Sequence, residues 1–226
     1  MEGHNQRVAA IASQIKKFHK TNVPFRIYHG STNSTRPTVR QRNSAVDVSG
    51  LAHVLSIDVE RKVAVVEPNV PMDALLREAL GHGLVPPVVP EFPGITVGGG
   101  YSGTAGESSS FKYGFLDATV ERLEVVLADG QVVEADAKTN PDLFYGTAGT
   151  LGTVGVVTLL HVQLIEAKKY VQLTFNPVDS FSAAVETMQE AVLPDAANDF
   201  VDGILFSATN GAIITGRMTD DANGTV

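Results

Sequence analysis

Three stretches in which glycine, serine and threonine crowd together constrain this chain more than any other feature. They cover residues 29–35 (HGSTNST), 96–110 (TVGGGYSGTAGESSS) and 146–155 (GTAGTLGTVG). Residues this small let a backbone approach a ligand closely. Successive N–H groups in such turns form concave nests that bind anions without Lys or Arg. Hydroxyls at Ser31, Thr32, Ser34, Ser102, Ser108 and Ser109 add donors. Each stretch borders a strand-like segment, and two such loops facing each other suit a pyrophosphate. Any one of them alone reads as an ordinary tight turn; the recurrence favours a ligand.

Composition narrows the alternatives. The 226 residues allow one large domain or one and a half. With 17 Lys+Arg against 25 Asp+Glu, the net charge of −8 disfavours a protein whose main task is neutralising nucleic-acid phosphates. The absence of cysteine excludes disulfides, a thiolate zinc site and a cysteine nucleophile. Apolar runs such as Val63–Val66 and 154–160 are strand-length, whereas a bilayer span needs about 20 apolar residues. No signal peptide is read, and the chain as given is expected to be soluble.

The apolar pattern predicts a helix over residues 1–20, with Val8, Ile11, Ile15 and Phe18 on one face, packed on its own domain, with a membrane-surface helix as the less favoured alternative. A short strand at 25–28 follows, then a strand and turn at Val46, Val48 and Leu51, and a hairpin of 54–58 with 62–67. Pro71 starts a helix through Met72, Leu75, Leu76, Ala79 and Leu80 that stops at Gly81 and Gly83. Residues 86–114 are too punctuated for a long helix. Asp129-Gly130 between alternating apolar residues signals a hairpin. Asn140 can cap a short helix that opens on Pro141, and 154–164 is a strand. Past 167 come a strand, a helix with Phe181, Val185, Met188 and Val192 on one face, and two more strands. This is too little for an independent domain, so the chain is expected to be cut short within it.

The residues themselves offer little catalytic machinery. Gly98, Gly100 and Gly103 match G-x-G-x-x-G, with Glu121 about 20 residues on. The flanks supply neither the preceding strand nor the opening helix, so a Rossmann unit is rejected. Gly100-Tyr101-Ser102-Gly103 has its second glycine too early for a nucleophile elbow. Histidines 4, 19, 29, 53, 82 and 161 show no metal spacing. His29 borders the first loop, where ligand contact and a bland role are evenly balanced. Lys112 and Tyr113 read by default as a solvated lysine and a packed tyrosine. No Ser/His/Asp order or carboxylate pair stands out, which points to chemistry borrowed from a cofactor.

The order of elements resembles the FAD-binding domain of the vanillyl-alcohol oxidase, or PCMH-type, superfamily. It runs helix, strand, first pyrophosphate loop, Val66-Glu67-Pro68, helix, glycine–proline passage, second glycine loop, hairpin and Gly152-Thr153-Val154-Gly155. Within that superfamily the chain is similar to the Δ24-sterol reductase (Diminuto/seladin) family. The strings that carry this include Thr96-Val97-Gly98-Gly99, Glu107-Ser108-Ser109-Ser110, Lys112-Tyr113-Gly114, Asp142-Leu143-Phe144-Tyr145, Ala167-Lys168-Lys169-Tyr170-Val171 and Thr215-Gly216-Arg217-Met218-Thr219-Asp220. Upstream of Thr96 the match lies mainly in the order of elements.

The resemblance implies an α+β fold. Residues 1–166 would form an FAD-binding domain of two subdomains, and 167–226 the truncated start of a cap that selects substrate. It implies that Gly30, Ser31, Thr32, Asn33 and Ser34, bordered by His29, hold the pyrophosphate together with Thr96, Val97, Gly98, Gly99, Gly100, Tyr101, Ser102 and Gly103. Glu107, Ser108, Ser109, Ser110 and Gly114 would line the ribityl and ring side, and Gly152, Val154, Gly155 and Val156 the adenine end. Thr32 falls near the place where some relatives carry a flavin-linking histidine, so FAD is expected to be noncovalent. The implied reaction is NADPH-driven reduction of a sterol side-chain double bond through the flavin. Alternatives are a flavoprotein oxidase or dehydrogenase of the same superfamily with a non-sterol substrate, and a flavin-free module that keeps the fold. The family also implies an endoplasmic-reticulum membrane setting for a parent protein. No catalytic residue is assigned.

Overall fold

A computed structural model describes residues 1–30 and 44–222. The expected loop residues Ser31, Thr32, Asn33 and Ser34 lie outside the described residues. The fold is α+β. Its centre is a five-stranded antiparallel sheet built from β3 (Val54–Asp58), β4 (Val63–Val66), β6 (Val120–Val126), β7 (Val132–Asp136) and β8 (Val156–Gln163), in the order β3-β4-β8-β6-β7.

Strand alternation decides which layer covers each face. On β6, Leu123 and Val125 point into a core completed by Met72, Leu75 and Ala79 of α2 (Met72–Leu80) and by Val97 and Tyr101 of α3 (Val97–Ser102). Val126 points to the other face, against Val8, Ile11 and Ile15 of α1 (Glu2–Lys20). Burying side chains of this size contributes about 1.5–3 kcal/mol each, so α1 is held as part of the domain. A pair of parallel strands, β1 (Arg26–Tyr28) and β2 (Ala45–Asp47), extends this second core.

The β6–β7 hairpin turns at Asp129-Gly130, with Gly130 at φ +85° and Val126 opposite Val132. Helix α2 begins one residue after Pro71. Two other local expectations need correction. Helix α3 forms across Gly98, Gly99 and Gly100, where a loop was expected. Asn140 precedes α5 (Pro141–Thr147) in a left-handed conformation and gives no side-chain cap; its Nδ2 donates instead to Glu134 O at 2.9 Å.

After β8 the chain passes through β9 (Ile165–Glu166), which pairs with β5 (Leu84–Val85). It then builds a second sheet, β10-β12-β11, from β10 (Tyr170–Val178), β11 (Phe200–Ser207) and β12 (Asn210–Thr219). Helix α6 (Phe181–Ala191) packs on one face of it, around Val178, Ala184, Ala191, Val201 and Ile213. The predicted apolar stripe of α6 faces the sheet only in part: Val192 packs against the core and Met188 Cε lies near Gly203 of β11. Phe181 is 69% exposed and Val185 and Met188 are more than a third exposed, while the small Ala184 and Ala191 are buried against it. Among the described residues, no helix is long and apolar enough to cross a membrane.

Candidate cofactor site

A cavity of about 940 Å³ opens between the end of α1, strand β1, the 96–102 segment and the 151–157 segment. Its walls are positioned by a continuous piece of backbone. Residues 95–98 lie against 68–72, with Met72 N donating to Ile95 O, Val97 N to Val70 O and Gly98 N to Pro68 O, all within 2.9 Å. A Cβ on Gly98 would sit 2.5 Å from Pro68 Cβ, so only glycine permits this approach. Thr96 caps α3, its Oγ1 accepting from Gly99 N at 3.2 Å.

The second glycine stretch is therefore not an open nest. The N–H groups of Val97, Gly98, Gly100 and Gly103 donate to backbone carbonyls and that of Gly99 to the Thr96 hydroxyl. What this stretch presents to the cavity is the surface of Thr96, Gly98, Gly99 and Ser102. The opposite wall comes from Gly152, Val154, Gly155 and Val156. Gly152 has φ +80°, with room for a Cβ blocked by Ile27 Cδ1 at 2.7 Å; Gly155 is pressed against Val125. His29 also lines the cavity, and Gly30, at φ +86°, follows it.

Other predicted residues stand elsewhere. Val97, Gly100 and Tyr101 belong to the core behind the wall: Gly100 lies against Leu116, and the Tyr101 hydroxyl reaches Phe144 O at 3.4 Å. Burial, with the nearby Asp117 charge, pushes the Tyr101 phenol well above its ordinary range. Gly103 terminates α3. Glu107, Ser108, Ser109 and Gly114 lie outside the cavity lining. Gly114, at φ +77°, ends α4 (Ser110–Tyr113).

Several lining residues carried no signal in the sequence. Phe18 of α1 stacks on Phe25 with ring centroids 5.4 Å apart, and both border the cavity with His19, Arg26 and Asn69. Among the described residues the lining contains no Asp or Glu, although the chain holds 25 of them. Arg26 is exposed, and its side chain makes no ion pair among the described residues.

Behind the wall lies a buried polar cluster whose members are far apart in the sequence. His4 of α1 has Nδ1 2.8 Å from Glu67 Oε1 and Nε2 3.2 Å from Glu124 Oε1. Arg7 and His53 also reach the Glu67 carboxylate, at 2.7 Å each, and Thr158 Oγ1 donates to Glu124. Glu67 is followed directly by the cavity residues Pro68 and Asn69, and Asn69 Nδ2 donates to Val48 O. Among the described residues, no group of three or more His, Asp or Glu side chains is placed so that it could hold a metal ion.

The FAD binding domain family matches residues 6–136 of this chain. The chain belongs to that family. It is 34% identical over 222 residues to the Δ24-sterol reductase of Rattus norvegicus, a match covering 96% of this chain and 43% of that protein. To the Δ24-sterol reductase of Pisum sativum it is 36% identical over 189 residues, 79% of this chain and 33% of that protein. To cytokinin dehydrogenase 4 of Oryza sativa subsp. japonica it is 29% identical over 145 residues, 64% of this chain and 27% of that protein. The chain thus spans less than half the length of these relatives, while the FAD-binding family match covers α3 and all but the first four residues of α1 and stops before the 151–157 wall.

Proposed function

We propose that the 940 Å³ cavity holds FAD and that the chain is the flavin-binding part of an oxidoreductase that reduces a carbon–carbon double bond in a sterol side chain. The observation that carries the cofactor assignment is the lining without carboxylates in a chain of net charge −8. A dinucleotide diphosphate is repelled by acidic walls and favoured by an exposed guanidinium such as that of Arg26. The volume lies at the upper end of the range for small-molecule sites. The lining fits as well: main chain at Gly152, Val154 and Gly155, hydroxyls of Thr96 and Ser102, the close-approach surface of Gly98 and Gly99, and apolar surface at Phe18, Phe25, Ile27 and Val156 for a flat ring.

FAD would supply two-electron transfer to and from a bound substrate. The residues of this chain orient it. The Thr96 cap keeps Gly99 at the wall, and the glycines at 98 and 155 keep side-chain bulk out of it. We read residues 1–166 as the FAD-binding domain and 167–226 as the beginning of a cap, because the second sheet has a core of its own. The similarity to Δ24-sterol reductases supports the sterol reading; NADPH as reductant and noncovalent FAD belong to the same proposal. The cytokinin dehydrogenase among the relatives supports a second reading, in which a flavoprotein dehydrogenase of another substrate uses the same site.

The test is an FAD titration of the purified chain, followed by anaerobic addition of NADPH to the whole protein in which this sequence occurs. Saturable binding with release of intact FAD on denaturation supports the cofactor site; a chain that stays colourless at saturating FAD rejects it. Stoichiometric bleaching by NADPH supports the reductase, and bleaching only by an oxidisable amine or alcohol substrate supports the dehydrogenase.

A further inference from the structure

The string at 107–114 is one of those that carry the sequence resemblance, yet it lies outside the cavity lining. It is braced against its own surroundings. Glu107 Oε1 accepts from Glu91 N at 2.9 Å, Ser110 Oγ accepts from Glu107 N at 2.9 Å, and the buried Ser109 hydroxyl donates to Pro87 O at 2.7 Å. From this rigid base two groups reach the second sheet. Ser108 O accepts from Val201 N at 2.8 Å, and Lys112 Nζ donates to Asp199 Oδ1 at 2.8 Å.

Asp199 is itself built into that sheet. Its Oδ2 accepts from Met218 N and its own N–H donates to Gly216 O, both at 2.8 Å. One carboxylate therefore ties α4 to both β11 and β12. A second cavity of about 370 Å³ lies beside this junction, with Ser108 on one side and Val171, Leu173, Phe200 and Ile214 of the sheet on the other. Gly216 leaves that space open; a Cβ there would come within 3.2 Å of Phe200, Val171 and Leu173.

We propose that residues 107–114 are the seat on which the second sheet is mounted, and that Lys112 is the positioning residue that holds the sheet there through Asp199. The lysine that the sequence presents as a solvated side chain thus has a fixed partner. Burial pushes the Asp199 carboxyl up, but hydrogen bonds from Lys112 and Met218 outweigh it and keep the group below its ordinary range. What the mount sets is the angle of the apolar sheet face to the flavin-binding part, a consequence that rests on the proposed function.

Amide hydrogen exchange on the purified chain, with and without added FAD, tests this. In Lys112→Met the Val201 and Met218 amides are expected to exchange about fivefold faster, near the upper limit for a partly exposed ion pair. Amides of β8 keep their protection, and Lys112→Arg restores wild-type exchange. Unchanged exchange in Lys112→Met, or no rescue by arginine, overturns the proposal. Should Lys112→Met unfold the chain, seen as lost protection in β8, the charge-swapped pair Lys112→Asp with Asp199→Lys decides: regained protection at Val201 supports the mount and its absence rejects it. FAD binding is read separately on the same wild-type sample, so a colourless chain counts against the cofactor site and not against the mount.

Discussion

Nδ1 of His4 lies 2.8 Å from Oε1 of Glu67, and both side chains are fully buried. This contact joins the first helix to the end of β4, one residue before the cavity wall begins at Pro68. Burial pushes the Glu67 carboxyl up, and hydrogen bonds from Arg7, His4 and His53 outweigh that effect and hold it below the ordinary carboxylate range. A group depressed on folding adds stability that is complete above its unfolded value, about 4.3, and is lost as pH falls through the folded value. Unfolding free energy is therefore expected to decline as pH drops below about 4.3. Glu67→Gln should flatten that decline and lower stability at pH 7 by about 3 kcal/mol, the usual result of removing one partner from a buried ionic cluster. Urea unfolding at pH 7 and at pH 3.5 measures both; equal pH dependence in the two proteins would contradict the assignment.

Loss of the Thr96 cap should be felt at the cavity. Thr96→Val removes the hydroxyl that accepts from Gly99 N and is expected to cost about 1 kcal/mol. Thr96→Ser should stay within a few tenths of wild type. Because α3 carries Gly98 and Gly99 to the wall, FAD affinity should fall with Thr96→Val and recover with serine, as read by flavin fluorescence quenching.

Adding one carbon distinguishes the glycines. Gly98→Ala drives a Cβ into Pro68 at 2.5 Å, and Gly155→Ala into Val125 at 2.5 Å; each should destabilise by about 2 kcal/mol. Gly146→Ala, in α5, meets nothing within 4 Å and should be neutral or stabilise by about 0.5 kcal/mol. Thermal melts of the three variants give the comparison.

If Arg26 supplies charge to the cofactor diphosphate, Arg26→Gln should raise the FAD dissociation constant about tenfold, equivalent to ~1.4 kcal/mol. The thermal stability of the apoprotein should hardly change, since Arg26 is exposed at the mouth of the cavity. Added salt should weaken binding to wild type more than to the variant. Isothermal titration at two ionic strengths reads all three effects.

The parts of the fold that were legible in the sequence are those fixed by neighbours along the chain. The β6–β7 hairpin follows from Asp129-Gly130, and α2 from Pro71 and the spacing of Met72, Leu75 and Ala79. Helix α3 was hidden because three consecutive glycines each disfavour a helix by about 1 kcal/mol. Its support is tertiary: the contact with 68–72 and the close approach of Gly98 to Pro68. The stripe on α6 was legible only in part: Val192 packs against the sheet core, while Phe181 is exposed and the smaller Ala184 and Ala191 are the residues buried against it. The polar cluster left no trace because His4, Glu67 and Glu124 are separated by 63 and 120 residues from one another through His4. For the site, the small-residue strings marked the 96–102 and 152–156 walls, but the contribution of α1 through Phe18 and His19 depends on how the helix lies across the sheet.

The link between the two sheets is staked at its base. Strand β9 pairs with β5, and Ala167 N donates to Gly83 O at 2.9 Å just before the second sheet begins. Together with the contacts at Ser108 and Lys112, this gives the sheet two separate points of attachment. A plate fastened at two places can rock about the line that joins them but cannot slide along it. Any opening between the parts would then be a rotation about that axis, and the gap it controls would widen most at the edge farthest from both fastenings.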